Sequence, residues 1–104
     1  FVNAIAKKIA DRYNGKAYEF FQEKGFEDAI KYYGMAIRYD PENTYAYYGK
    51  GVAHHAIAHK SGDSEQLEEA ESNYLKALDI DPNHEGTKEE LDKLYEIMED
   101  LGLR

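Results

Sequence analysis

Cysteine is missing from all 104 positions of this chain, which excludes disulfides and thiolate metal sites. Tryptophan is missing too, and proline occurs only at Pro41 and Pro82. No apolar run approaches the roughly 18 residues that a membrane-crossing helix needs, and no signal-peptide pattern opens the chain. These absences make the cytoplasm the expected compartment. The chain starts at Phe1 rather than at methionine, so a segment cut from a longer protein is expected. Catalytic motifs are equally scarce. Gly49-Lys50-Gly51 lacks the spacing of a phosphate loop, and there is neither a G-x-S-x-G elbow nor an H-E-x-x-H pair. Neighbouring carboxylates such as Glu68 and Glu69 read as a solvated helix face. Neither an enzyme nor a bound cofactor is expected.

What is abundant is tyrosine, ten of 104 residues. A tyrosine ring packs in a core while its hydroxyl stays available to water or a partner, so half-buried interfaces are expected. Charge is unevenly placed. Residues 1–60 carry 9 basic and 7 acidic groups, residues 61–104 carry 4 and 14, and the halves stand at +2 and −10. The acidic back half speaks against a nucleic-acid surface and suits a cationic partner.

Apolar residues recur at spacings of three and four, the signature of amphipathic helices. Val2, Ile5, Ala6, Ile9, Tyr13, Ala17, Phe20 and Phe21 predict a helix over about 2–24, ended by Gly25. Gly15, inside it, suggests close approach of a neighbouring helix. A second helix is predicted over 27–39, with Ala29, Ile30, Tyr33, Ala36 and Ile37 on one face. Asp40-Pro41 is expected both to end it and to start a third helix over about 41–60, with Asp40 as cap. Ser61 to Ser64 form a turn. A fourth helix covers about 65–80, with Leu67, Ala70, Tyr74, Ala77 and Leu78 inward. After Asp81-Pro82, Thr87 to Glu90 read as a capping box. A last helix carries Leu91, Leu94, Tyr95, Met98 and Leu101.

The sequence repeats itself. Tyr13-Asn14-Gly15-Lys16-Ala17 returns 34 residues later as Tyr47-Tyr48-Gly49-Lys50-Gly51. Ala29, Tyr33, Ala36 and Asp40-Pro41 return 41 residues later as Ala70, Tyr74, Ala77 and Asp81-Pro82. The second unit therefore carries seven extra residues around 59–66, in its loop or in the helix ends beside it. With small residues at Ala17, Ala29, Ala36, Gly51, Ala70 and Ala77, and rings between them, the chain resembles the tetratricopeptide repeat family. Lys16, Lys50 and His54 depart from the family's usual apolar pattern. The resemblance implies an all-α, right-handed helical-hairpin solenoid: an N-terminal helix extension over 1–9, repeat 1 over 10–43, repeat 2 over 44–84 and a capping helix over 85–104.

It also implies a concave face built by the first helix of each pair. The partner-binding residues expected there are Asn14, Tyr18, Phe21, Gln22, Tyr45, Tyr48, Val52 and His55, with Ala56, Glu89, Lys93 and Glu96 beside them. A protein or peptide partner with apolar anchors and some positive charge would suit this face. Some family members clamp an acidic chaperone tail with Lys, Arg and Asn. The corresponding places here hold Asn14, Tyr18, Gly49, Gly86 and Glu90, so an acidic tail is not expected. Two further readings stand beside the groove. Exposure of Phe1, Val2 and Ile5 would favour a homo-oligomer or a longer solenoid. His55 and His59, four apart on one helix face, are candidate metal ligands, but without cysteine to complete a four-ligand set no metal site is assigned.

Overall fold

A computed structural model describes residues 2–104, and Phe1 lies outside the described residues. Five helices follow one another: α1 (Ala4–Gln22), α2 (Phe26–Tyr39), α3 (Thr44–Ser61), α4 (Ser64–Ile80) and α5 (Glu85–Asp100). No strand occurs among the described residues. None of the helices is long and apolar enough to cross a membrane.

Each hairpin closes on small residues. Ala29 and Ala36 of α2, and Ala70 and Ala77 of α4, are fully buried, because a methyl side chain lets two helix backbones approach closely while rings fill the wider gaps. α1 packs on α2 and α3 on α4, while α2 meets α3 and α4 meets α5. α3 also touches both α1 and α5, so α1, α3 and α5 stand side by side as an inner layer over the outer pair α2 and α4. The array is elongated, 44 × 29 × 18 Å. Its core divides in two. One cluster joins Ala10, Ala17, Ala29, Tyr33, Ala36, Ala46 and Ala53. The other joins Ala58, Leu67, Ala70, Tyr74, Leu91, Leu94 and Met98.

The seven additional residues of the second unit go into helix rather than loop. At the 34-residue offset Gln22 matches position 56, and α3 runs five residues beyond it to Ser61. At the 41-residue offset Phe26 matches position 67, and α4 starts three residues earlier, at Ser64. The connecting loop is one residue shorter, Gly62–Asp63 against Glu23–Gly25. Gly62 takes the left-handed conformation (φ 72°) in which a glycine costs least, and closes α3 through its N–H to the Ala58 carbonyl.

Several helix starts and faces differ from the sequence reading. Asp40 and Asp81 end α2 and α4, and neither caps the next helix. Asn43 caps α3, its Oδ1 accepting the Ala46 N–H at 2.9 Å. His84 caps α5, its Nδ1 accepting the Thr87 N–H at 3.2 Å. α5 thus begins before the Thr87–Glu90 box, and Thr87 is an interior residue whose buried hydroxyl meets His84 Nδ1 at 2.7 Å. Gly15 is exposed, and a Cβ placed there would meet nothing within 4 Å, so no neighbouring helix accounts for it. Ile5, expected inward, is 71% exposed, and so is Leu101, at 62%.

Candidate functional site

Across the inner layer runs a groove with two cavities that share Val52 as a lining residue. The first is a cavity of about 100 Å³ whose walls are Tyr18 and Phe21 of α1 and Tyr45, Tyr48 and Val52 of α3, over a floor of Tyr33 and Gly49. Its rings brace one another: Tyr33 meets Tyr45 edge-on at 6.0 Å between centroids, and Tyr45 lies 6.4 Å from Tyr48. Such edge-on and tilted contacts hold rings in fixed orientations. Tyr33 belongs to the outer layer. It reaches the groove because Gly49 has no side chain, and a Cβ at that position would overlap its ring. Burial, followed by the adjacent Tyr45, pushes the Tyr33 hydroxyl well above the ordinary tyrosine range, so it stays protonated and able to donate.

The second part is a cavity of about 380 Å³ shared by α3 and α5. Val52, His55, Ala56 and His59 line one side, and Glu90, Lys93, Glu96 and Ile97 the other. Val52 borders both parts. Lys93 pairs with Glu90 at 3.6 Å, and among the described residues Glu96 makes no ion pair. His55 is 7% exposed. Its Nδ1 lies 3.3 Å from the Tyr74 hydroxyl, and its buried Nε2 has no hydrogen-bond partner among the described residues. Burial first, and His59 second, lower its pKa below the ordinary histidine value, so the imidazole is neutral at neutral pH.

Five expected groove residues, Tyr18, Phe21, Tyr45, Tyr48 and Val52, come together in the first cavity, and His55 lies in the second. Two stand elsewhere. Asn14 is buried, and its amide donates to Asn43 Oδ1 at 3.1 Å. That bond braces the cap of α3, so Asn14 does not stand on the exposed wall. Gln22 is exposed at the last residue of α1 and lines neither cavity. Of the flanking residues, Ala56, Lys93 and Glu96 line the second cavity, whereas Glu89 does not. Tyr33, a core residue by its spacing in the sequence, also forms the groove floor. The signal for its second role was Gly49, a gap in the inner helix that a ring from behind can fill.

His55 and His59 stack with centroids 5.4 Å apart and planes 10° from parallel. Among the described residues no group of three or more His, Asp or Glu side chains gathers at metal-binding distance. His54 meets the start of α4, with Nδ1 2.7 Å from Gln66 Oε1.

A family model described as TPR repeat matches residues 17–57, and one described as tetratricopeptide repeat matches residues 45–84. The chain belongs to the tetratricopeptide repeat family. The two matches overlap across α3 and stop at the foot of α5. Among similar proteins, the Homo sapiens protein O-mannosyl-transferase TMTC2 is 41% identical over 78 residues, 75% of this chain and 8% of that protein. Heat shock protein STI1 of Saccharomyces cerevisiae is 32% identical over 97 residues, 88% of this chain and 15% of that protein. This tetratricopeptide repeat chain therefore spans less than a sixth of either relative's length. The solved second TPR of Spaghetti (RPAP3), bound to HSP90 peptide SRMEEVD, superposes with a TM-score of 0.79. It covers 93% of this chain and 83% of that one at 22% identity, a likeness of fold.

Proposed function

We propose that this tetratricopeptide repeat domain is a non-catalytic protein-interaction module whose groove takes a peptide segment with an apolar anchor and a positive charge. The observation that carries this reading is that Val52 lines both cavities, so a cage of tyrosine and phenylalanine stands beside a pocket holding Glu90 and Glu96. An apolar side chain in the first part is desolvated by five rings, the kind of anchor that dominates interface energies. A lysine or arginine of the same segment reaches Glu96 in the second part. The buried, unpartnered Nε2 of His55 supplies one further hydrogen bond, since a buried polar atom gains most from finding a partner.

An acidic tail such as SRMEEVD fits this wall poorly. Gly49 and Gly86 offer no side chain, Asn14 is buried against Asn43, and Glu90 is anionic. The test is fluorescence polarisation with an arrayed set of peptides combining apolar and basic residues, alongside SRMEEVD itself. Binding by basic–apolar peptides is expected, lost with Tyr18→Ala/Tyr48→Ala and weakened about tenfold by Glu96→Lys, the equivalent of ~1.4 kcal/mol. Tight binding of SRMEEVD that disappears with Asn14→Ala would overturn the reading.

A further inference from the structure

A second surface lies on the other side of the first hairpin. Ile9 and Tyr18 are nine residues apart on α1, roughly half a revolution at 3.6 residues per turn, so Ile9 faces away from the groove. Around it four rings form a continuous stack across the α1–α2 seam. Tyr39 meets Tyr13 at 5.7 Å, Tyr13 meets Tyr32 at 6.1 Å, and Tyr32 meets Phe20 at 5.3 Å, all with planes within 27° of parallel. Three cations border this shelf. Lys16 Nζ stands 5.9 Å from the Phe20 centroid, Lys31 Nζ stands 5.7 Å from that of Tyr32, and Arg12 lines the adjoining 330 Å³ hollow. Among the described residues the ion pairs involve Lys88, Lys93 and Arg104. Arg12, Lys16 and Lys31 therefore form none, although Asp11, Glu19 and Asp28 are close in sequence.

The opposite end of the molecule is complementary. The last turn of α5 and the residues after it present Leu101, 62% exposed, and Leu103, 43% exposed. Glu99 and Asp100 precede them, are exposed, and make no ion pair among the described residues. Neither α1 nor α2 touches α5, and the helices stack in sequence, so shelf and tail of one copy stay apart. Exposed leucines beside free carboxylates match free cations set over ring faces in both polarity and charge.

We propose that the α1–α2 shelf docks the Glu99–Leu103 segment of a second copy of this chain, giving head-to-tail assembly. Shelf and tail are different surfaces, so the contact is heterologous and each copy leaves one of each unused, which lets the chain of molecules grow. The contact uses no groove residue and so leaves that site free. It rests on exposed charge and is screened by salt.

Sedimentation velocity of the 104-residue chain tests this. At about 0.05 M salt the average mass is expected to climb past dimer as protein is raised toward roughly 1 mM, and to return to monomer at about 0.5 M salt. Lys16→Glu/Lys31→Glu and Glu99→Lys/Asp100→Lys should each be monomeric, with circular dichroism confirming the fold. Mixing the two variants is the decisive arm. The mixture joins one intact shelf to one intact tail and sets the two reversed surfaces against each other with opposite charge, so assembly should return. Tyr48→Ala should assemble like the wild type. A wild type that is monomeric throughout the low-salt series, a charge-reversed variant that still assembles, or a mixture that stays monomeric would each overturn the proposal.

Discussion

Gly15, Gly49 and Gly51 show how far chemistry at one residue depends on what stands opposite. Gly15 and Gly49 hold the same place in the two repeats, 34 residues apart. A Cβ on Gly49 would overlap the Tyr33 ring, and one on Gly51 would lie 2.5 Å from Tyr74 Cε1. Gly15 would meet nothing. Gly15→Ala is therefore expected to stabilise the domain by up to about 1 kcal/mol, because alanine holds a helix better and orders at less entropic cost. Gly49→Ala should destabilise by about 1–3 kcal/mol, since an added methyl forces a buried ring off its position. Tyr33 floors the aromatic cavity, so peptide binding should fall as well. Urea unfolding of the two variants checks the pair. Equal effects at both sites would mean that Tyr33 does not depend on the gap at Gly49. The repeat register was readable in the sequence, but the contact was not: identical residues at matching positions face a packed ring in one unit and solvent in the other.

Among the elements, helix periodicity was the strongest signal, and all five helices were legible from the spacing of apolar residues. Their starts were less so, for a physical reason. Proline suits the first turn of a helix, and it suits the second position of a β-turn equally well. Pro41 takes the second role. The Asn43 N–H donates to the Asp40 carbonyl at 3.1 Å, and the His84 N–H to the Asp81 carbonyl at 3.2 Å, so each Asp-Pro opens a tight turn whose fourth residue caps the next helix. Asn43 bears more than a cap's usual load. Its Oδ1 accepts from the Ala46 N–H and from Asn14, and its amide donates to Asp40 Oδ2 at 3.1 Å, binding α1, the end of α2 and the start of α3 together. Asn43→Ala should cost about 2 kcal/mol, at the upper end for a cap, because the buried Asn14 amide also loses its partner. Asn3, an exposed cap bonded only to the Ala6 N–H at 2.8 Å, sets the comparison: Asn3→Ala should cost about 0.5–1 kcal/mol. Thermal unfolding of the two variants ranks them, and a larger loss at Asn3 would contradict the bridging role of Asn43.

At the scale of the whole molecule, the solenoid was legible because repetition and buried alanines express one packing rule twice. The groove was legible only in part. A face assigned from helix register names Tyr18, Phe21, Tyr45, Tyr48 and Val52, but it cannot show that Tyr33 comes through from the outer layer or that Asn14 turns inward to brace a cap. Division of the core into two clusters has its own consequence. Leu94 of α5 is fully buried in the second cluster with Leu67, Ala70 and Tyr74, and α5 touches only α3 and α4. In a stacked array each unit is stabilised chiefly by its neighbours, so a defect at one end should be felt there first. Leu94→Ala leaves a cavity and should cost about 2–5 kcal/mol. Hydrogen exchange should quicken first in α4 and α5, while α1 and α2 keep protection close to that of the wild type. Because α5 forms half of the charged cavity, binding through Glu96 should weaken before the aromatic end does. Exchange that quickens equally in all five helices would show instead that the two clusters unfold as one unit, with α3, common to both hairpins' contacts, coupling them.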